Sequence, residues 1–409
     1  MAQLRDLELF DHRRGEEVAI LVGPNGSGKS TFLRSLADSL RDENVIAVSN
    51  TPHDRFARMR GIQRISAGRS DHTPANLVKR AVTRSLDRED SLFYQISAIM
   101  DYCSYAPLFG FRVDMAKHYG SSLDELRWKL ESARGSPTDD DVSWDTGLDN
   151  NDELDRALTF LKHHDPVELI WIDTSLSAFE FSRSRDFAAV LRCEATLRRL
   201  KVIRGVEVML QRQDQKSQVI EIHLASSGQL ALISSLLFLI TEAGHAPVIL
   251  IDEPENSLHP SWQREYVDKL MAAMSYRDAT VIIATHAPLV VMGALGGNLS
   301  KVSVFRVWAD QVKRLKIDPS ASPASIEEIL WEAFEVVTPA NHFVSEEIVQ
   351  AISNFEDGLI SKVEVLQLVG KLEEGSFDQQ QRRFFQAVRP LVDKVERTKT
   401  GVRDGDDLD

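Results

Sequence analysis

Two stretches of this sequence carry side chains that could do phosphate chemistry, and a third could present dipoles to an anion. Gly23-Pro24-Asn25-Gly26-Ser27-Gly28-Lys29-Ser30-Thr31 fits the pattern GxxxxGK[ST]. Its glycines let backbone N–H groups turn inward around β- and γ-phosphates, where larger side chains would block the approach. Lys29 can bridge those phosphates and the Ser30 hydroxyl can ligate Mg²⁺, so the spacing points to bound ATP with Mg²⁺. Val248-Ile249-Leu250-Ile251-Asp252-Glu253 is a run of four apolar residues ending in two carboxylates. A buried strand would deliver Asp252 as a partner of Mg²⁺ and Glu253 as the group that orients or deprotonates an attacking water. Ala225-Ser226-Ser227-Gly228-Gln229 is a small, hydroxyl-rich turn at a helix start, able to offer N–H groups and a hydroxyl to an anion.

These residues need rigid elements behind them. An apolar strand over 18–22 runs into the glycine-rich loop, and a helix over 30–40 leaves it, the order that such a loop requires. Strands are expected at 45–49, 168–172, 248–251 and 281–285, and a hairpin from 206–211 and 219–223. Helices are expected over much of 75–135, over 187–200, from Gln229 and from Pro260. A short hairpin from Lys301 leads into helical segments near 323–334, 344–355, 360–373 and 377–396. Strands alternating with helices predict an α/β fold with a mixed, largely parallel sheet, a helical insertion and a helical C-terminal appendage. The parallel sheet would bring Asp252 and Glu253 to its carboxyl edge beside the phosphate loop.

Taken in order, the motifs resemble those of ABC-type ATPases. Residues 225–229 stand where that family places its signature sequence, just before a long helix and 23 residues ahead of Asp252 counted from Gln229. The resemblance implies that Ser226, Ser227, Gly228 and Gln229 cap the γ-phosphate held by an opposite copy, in a head-to-head dimer. Pro254-Glu255-Asn256-Ser257-Leu258-His259-Pro260 looks like the D-loop of the RecF/SMC/OLD-like branch, whose wording differs from that of transporter ATPases. Thr285-His286-Ala287-Pro288 ends the next apolar strand, and His286 resembles the switch histidine that contacts the γ-phosphate. The family's glutamine after the first helix–strand unit has three candidates, Gln63, Gln95 and Asn50, and Phe10 is a candidate for contact with adenine.

In finer detail, residues 49–56, 252–260 and 325–334 look like the compact ATPases of prokaryotic antiviral defence, notably the Septu-type ATPase subunit. That likeness implies a separate HNH nuclease partner. The chain would not itself be a nuclease, because the residues after the last core strand lack a Glu…DxD metal set. The competing expectation is a RecF/SMC-like repair ATPase acting as an ATP-gated DNA clamp. On either view the ATPase core takes in 1–60 and 200–306. Residues 61–199 form a helical insertion with an acidic linker near 138–155, residues 307–400 a helical partner-binding region, and 401–409 a disordered tail.

Composition bounds these readings. The 409 residues are 43% hydrophobic and 27% charged, with a net charge of −14, which argues against coating nucleic acid over the whole surface. Two local excesses run the other way. Residues 53–86 carry eight Lys or Arg against two Asp, and 181–216 carry nine basic against four acidic residues. Either could touch DNA phosphates. Two cysteines at no metal-binding spacing fit a reducing compartment. The N-terminus has no signal-peptide pattern, and the longest apolar run, 230–240, is too short for a bilayer. A cytoplasmic protein without a membrane partner is expected.

Overall fold

The computed structural model describes residues 17–40, 43–51, 54–66, 73–87, 92–116, 151–175, 182–214, 218–296, 302–308, 311–315, 334 and 342–374, and eight residues between 385 and 396. The chain begins with β1 (Glu17–Val22), α1 (Lys29–Ser39), β2 (Val45–Ser49) and β3 (Gln63–Ser66). Next come α2 (Pro74–Asp87), α3 (Phe93–Tyr102), β4 (Tyr105–Met115), α4 (Asn151–His163), β5 (Ile170–Asp173), α5 (Ser182–Arg192) and α6 (Glu194–Arg199). The middle of the chain adds β6 (Ile203–Arg212), β7 (Val219–Glu221), α7 (Ser227–Glu242), β8 (Val248–Asp252), α8 (Pro260–Ala273), β9 (Thr280–Ala284) and α9 (Pro288–Gly296). It closes with β10 (Val302–Trp308), β11 (Gln311–Arg314), α10 (His342–Glu356) and α11 (Lys362–Glu374).

Seven strands form one sheet in the order β11-β10-β1-β9-β8-β2-β3. All neighbours are parallel except β10 and β11, whose short connection allows an antiparallel pair. Strands β1, β2 and β8 are buried along their whole length, as expected where helices cover both faces. Side chains alternate between those faces. Val18, Ile20 and Val22 join the core shared with α2, α7, α8 and α9, while Ala19 and Leu21 join Phe32, Leu33 and Leu36 of α1.

The middle segment departs from expectation. Helices α2 and α3 lie within 75–135, but residues 105–115 form β4. Phe109, Phe111 and Val113 are buried at a spacing of two, the period of a strand with one covered face. β4 pairs with β5 on one side and β6 on the other, giving an antiparallel sheet β5-β4-β6-β7. The described residues of 61–199 are therefore helical with three strands, β3 joining the seven-stranded sheet and β4 and β5 the antiparallel one. The expected acidic linker also ends early, since residues 151–155 already belong to α4, with Asp152 and Glu153 in its first turn where the helix dipole favours carboxylates. Its remainder, Phe10 and the tail 401–409 lie outside the described residues. Helices α10 and α11 have their own small core, in which Ile348, Phe355, Val365, Val369 and Leu372 pack with Phe385, Val388 and Val392. Among the described residues no helix is long and apolar enough to cross a membrane.

One close approach fixes α9 against α8. A Cβ on Gly293 would stand 1.7 Å from the carbonyl oxygen of Arg264. Gly293→Ala is expected to cost about 1–3 kcal/mol of stability, because the two helix backbones must separate. Thermal unfolding checks this, and an unchanged midpoint would show that the contact yields freely.

Candidate active site

β1 delivers the phosphate loop to the carboxyl edge of the sheet. Gly26 and Gly28 take φ values of 83° and 99°, the left-handed region that favours glycine, and Gly28 is the N-cap of α1. Gly23 is required by space, since a Cβ there would meet the Val307 carbonyl oxygen at 2.7 Å and Ser27 Oγ at 2.8 Å. No side chain caps α1, so its first N–H groups remain available to an anion.

Lys29 is only 5% exposed, and its Nζ donates to the carbonyl oxygens of Gly23 at 2.7 Å and Pro24 at 3.1 Å. A buried ammonium needs such partners. Burial lowers its pKa, opposed by the carboxylates of Glu253, Glu255 and Asp252. Ser30 Oγ donates to Asp252 Oδ1 at 2.9 Å, joining the loop to the end of β8. Asp252 is 1% exposed and its Oδ2 is buried with no hydrogen-bond partner. Burial first, then the charges of Glu253 and Glu255, push its pKa up to about 6.

That orphaned oxygen beside a hydroxyl is the donor set that a hard cation prefers, so Ser30 and Asp252 fit Mg²⁺. Among the described residues no three His, Cys, Asp or Glu side chains converge as a complete metal cage. The cation would take its other ligands from phosphate and water, the usual habit of Mg²⁺.

Glu253 follows at φ 50°, a strained conformation for a non-glycine residue, and its N–H donates to the Ala284 carbonyl oxygen at 2.9 Å. That turn leaves its carboxylate partly exposed at the sheet edge, where Asn256 Nδ2 donates to Oε2 at 2.9 Å. His286, beyond the end of β9, has Nδ1 at 3.9 Å from Glu253 Oε1 and at 2.9 Å from Glu255 Oε1. Glu255, with its neighbouring carboxylate Glu253, raises the histidine pKa. Lys29, Ser30, Asp252, Glu253 and His286 thus share one edge.

The three glutamine-site candidates separate. Asn50 is at this edge, its N–H donating to the Asp252 carbonyl oxygen at 3.1 Å and its own carbonyl accepting from Asn256 Nδ2 at 3.3 Å. Gln63 starts β3 at the opposite edge and its side chain donates to Glu242, while Gln95 lies within α3. An aromatic that the sequence reading passed over also lies near. Trp308 ends β10, the strand beside β1, and is 55% exposed one residue past the carbonyl that abuts Gly23.

The turn 225–229 is built differently. Ser226 is the N-cap of α7, with its side chain accepting from the Gln229 N–H and the Gln229 side chain accepting from the Ser226 N–H. Gln229 also accepts from the Tyr105 hydroxyl at 2.8 Å and donates to the Cys103 carbonyl at 3.1 Å. Gly228 packs so closely that a Cβ would stand 2.3 Å from the Ser257 carbonyl oxygen. Between this turn and 257–259 lies an open groove of about 670 Å³, flanked by Ser261 and Trp262.

Residues 104–292 match the family described as "AAA domain, putative AbiEii toxin, Type IV TA system". The matched span includes the turn 225–229, the carboxylates 252–253 and His286, and begins after the phosphate loop. No curated protein matches the chain. Three solved structures are similar to it at low identity. The SmcHead bound to the C-winged helix domain of ScpA is 18% identical, over 29% of this chain and 33% of that one, with a TM-score of 0.21. This chain therefore spans about a third of that head. The ADP conformation of MJ1267, an ATP-binding cassette of an ABC transporter, is 12% identical over 72% and 78%, with a TM-score of 0.28. VirB4 of Thermoanaerobacter pseudethanolicus is 12% identical over 74% and 89%, with a TM-score of 0.26. Its phosphate loop, acidic strand end and largely parallel sheet give the chain a P-loop α/β fold, and residues 104–292 are similar to that AAA family.

Proposed function

We propose that two copies close head to head around two ATP molecules and so control a separate nuclease in prokaryotic antiviral defence. The observation that carries the dimer is a division of labour within one chain. Lys29, Ser30, Asp252, Glu253 and His286 form one polar cluster, while Ser226, Ser227 and Gly228 open on a second groove with 257–259. Each is half of a nucleotide site, and a two-fold axis would bring the first half of one copy against the second half of the other. ATP–Mg²⁺ sits in the first half, Glu253 directs water at the γ-phosphate and His286 contacts it. With the γ end set by β8 and β9, the base extends over β10 toward Trp308. The nuclease, of HNH type, docks on the C-terminal helices.

A mixing experiment tests the shared site. Lys29→Ala and Ser226→Arg each disable one half, so either variant alone is inactive. Their mixture should regain on the order of a quarter of wild-type hydrolysis, because half the random pairs are mixed and each carries one intact site. No recovery on mixing would rule out the geometry. The defence role is tested by native purification from source cells, where a stoichiometric nuclease is expected.

A second reading, an ATP-gated DNA clamp of RecF/SMC type, is favoured by one surface feature. Within 53–86, Lys79 pairs with Glu194, and Arg80 and Arg84 with Glu242. Arg55, Arg58 and Arg60 instead stand exposed on a loop anchored by buried Phe56 and Met59. A bare dimer whose DNA affinity falls steeply with salt would favour the clamp.

A further inference from the structure

We propose that Glu255 is the positioning residue of His286, holding its ring by Nδ1 so that Nε2 is the atom turned to the γ-phosphate. The inference rests on the ATPase reading of this site. Glu255 is 5% exposed and belongs to the turn after β8, yet its carboxylate reaches the loop after β9. One oxygen, Oε1, accepts the backbone N–H of His286 at 2.7 Å and lies 2.9 Å from Nδ1 of the same residue. A single carboxylate therefore holds the main chain of the histidine by a hydrogen bond and stands beside its ring at ion-pair distance, short of an aligned hydrogen bond to Nδ1. With the carboxylate on the Nδ1 side, Nε2 is the ring nitrogen left to meet a ligand, and the negative charge behind the ring favours the imidazolium, in which Nε2 is a donor.

The surroundings give this carboxylate no rival cation among the charged groups that face the histidine. Those groups are Glu255 and Glu253 from the turn after β8 and Lys29 from α1. Lys29 is already committed to Gly23 and Pro24, and Glu253 stands farther off, at 3.9 Å, with Asn256 on its other oxygen. The charge of Glu255 also helps raise the pKa of the fully buried Tyr266 hydroxyl, after the larger effect of burial. The arrangement is that of a histidine backed by a buried carboxylate, which sets tautomer and orientation and stabilises the charged ring.

A structural role alone, stapling the loop after β9, is separated by choice of substitution. Glu255→Gln keeps a carbonyl oxygen for the His286 N–H and so preserves the staple, but removes the charge behind Nδ1. Side-chain ¹H–¹⁵N spectra of the full chain, with His286→Ala to assign the signal, report the tautomer and titration directly. In the wild type His286 should carry its proton on Nδ1 and titrate above the ordinary histidine value, and in Glu255→Gln its titration should fall toward that value. Turnover should drop roughly tenfold or more in Glu255→Gln, with KM for ATP within about threefold. The Glu255→Gln, His286→Ala double variant should be no slower than His286→Ala alone. A His286 titration unmoved by Glu255→Gln would overturn the proposal, as would losses that multiply in the double variant. If the wild type turns over no faster than Lys29→Ala, the ATPase reading fails, and the His286 titration still decides the role of Glu255.

Discussion

Glu253→Gln is expected to slow ATP hydrolysis on the order of 10²–10⁴-fold, while ATP binding survives. The amide retains the size of the carboxylate and can still meet Asn256, so the left-handed turn at φ 50° should persist. What it loses is the basic oxygen at the sheet edge, where a water would be aligned on the γ-phosphate. With chemistry stopped and binding intact, the variant should accumulate as an ATP-bound dimer. Size-exclusion chromatography with light scattering, with and without ATP–Mg²⁺, reads that outcome beside a steady-state rate. A variant that hydrolyses at the wild-type rate would remove Glu253 from its role as base.

Lys29→Ala should have the other large effect, a loss of nucleotide affinity of roughly ten- to hundredfold. That is the range for a charge-assisted hydrogen bond worth about 1.5–3 kcal/mol at about 1.4 kcal/mol per tenfold. The ammonium now held by Gly23 and Pro24 must turn to the phosphates when ATP arrives, so binding exchanges two carbonyl contacts for two charged oxygens. Titration calorimetry measures the affinity, and the upward shift of the melting temperature with ATP–Mg²⁺ should shrink in the variant at the same nucleotide concentration. An unchanged affinity would assign phosphate binding to the backbone N–H groups alone.

The residues named in these predictions were legible in the sequence because their placement is local. A glycine-rich turn between a strand and a helix, paired with two carboxylates at the end of an apolar run, points to the carboxyl edge of a parallel sheet. Strand 45–49 was bounded to the residue and others to within one or two. Legibility failed where meaning depends on a distant partner. Glu255 was readable as part of a family loop, but nothing nearby shows that its carboxylate meets a residue 31 positions on. Tyr105 gave no sign of its contact with Gln229, 124 residues away. β4 was missed for another reason. Its alternation of Phe109, Phe111 and Val113 follows directly on the apolar helix α3, so the change of period from 3.6 to two is masked by the continuous apolar stretch.

Gln229 gives the molecule a particular kind of joint. The side chain that closes the capping box of α7 also takes the Tyr105 hydroxyl and gives to the Cys103 carbonyl. Tyr105 opens β4, an inner strand of the antiparallel sheet, so no slack loop lies between the start of α7 and that sheet. One side chain thus ties the start of α7 to the first residue of β4 and to the turn before it. The tie is a few hydrogen bonds of about 1 kcal/mol each. Gln229 therefore serves helix and sheet at once, and its loss would uncap the one and untether the other.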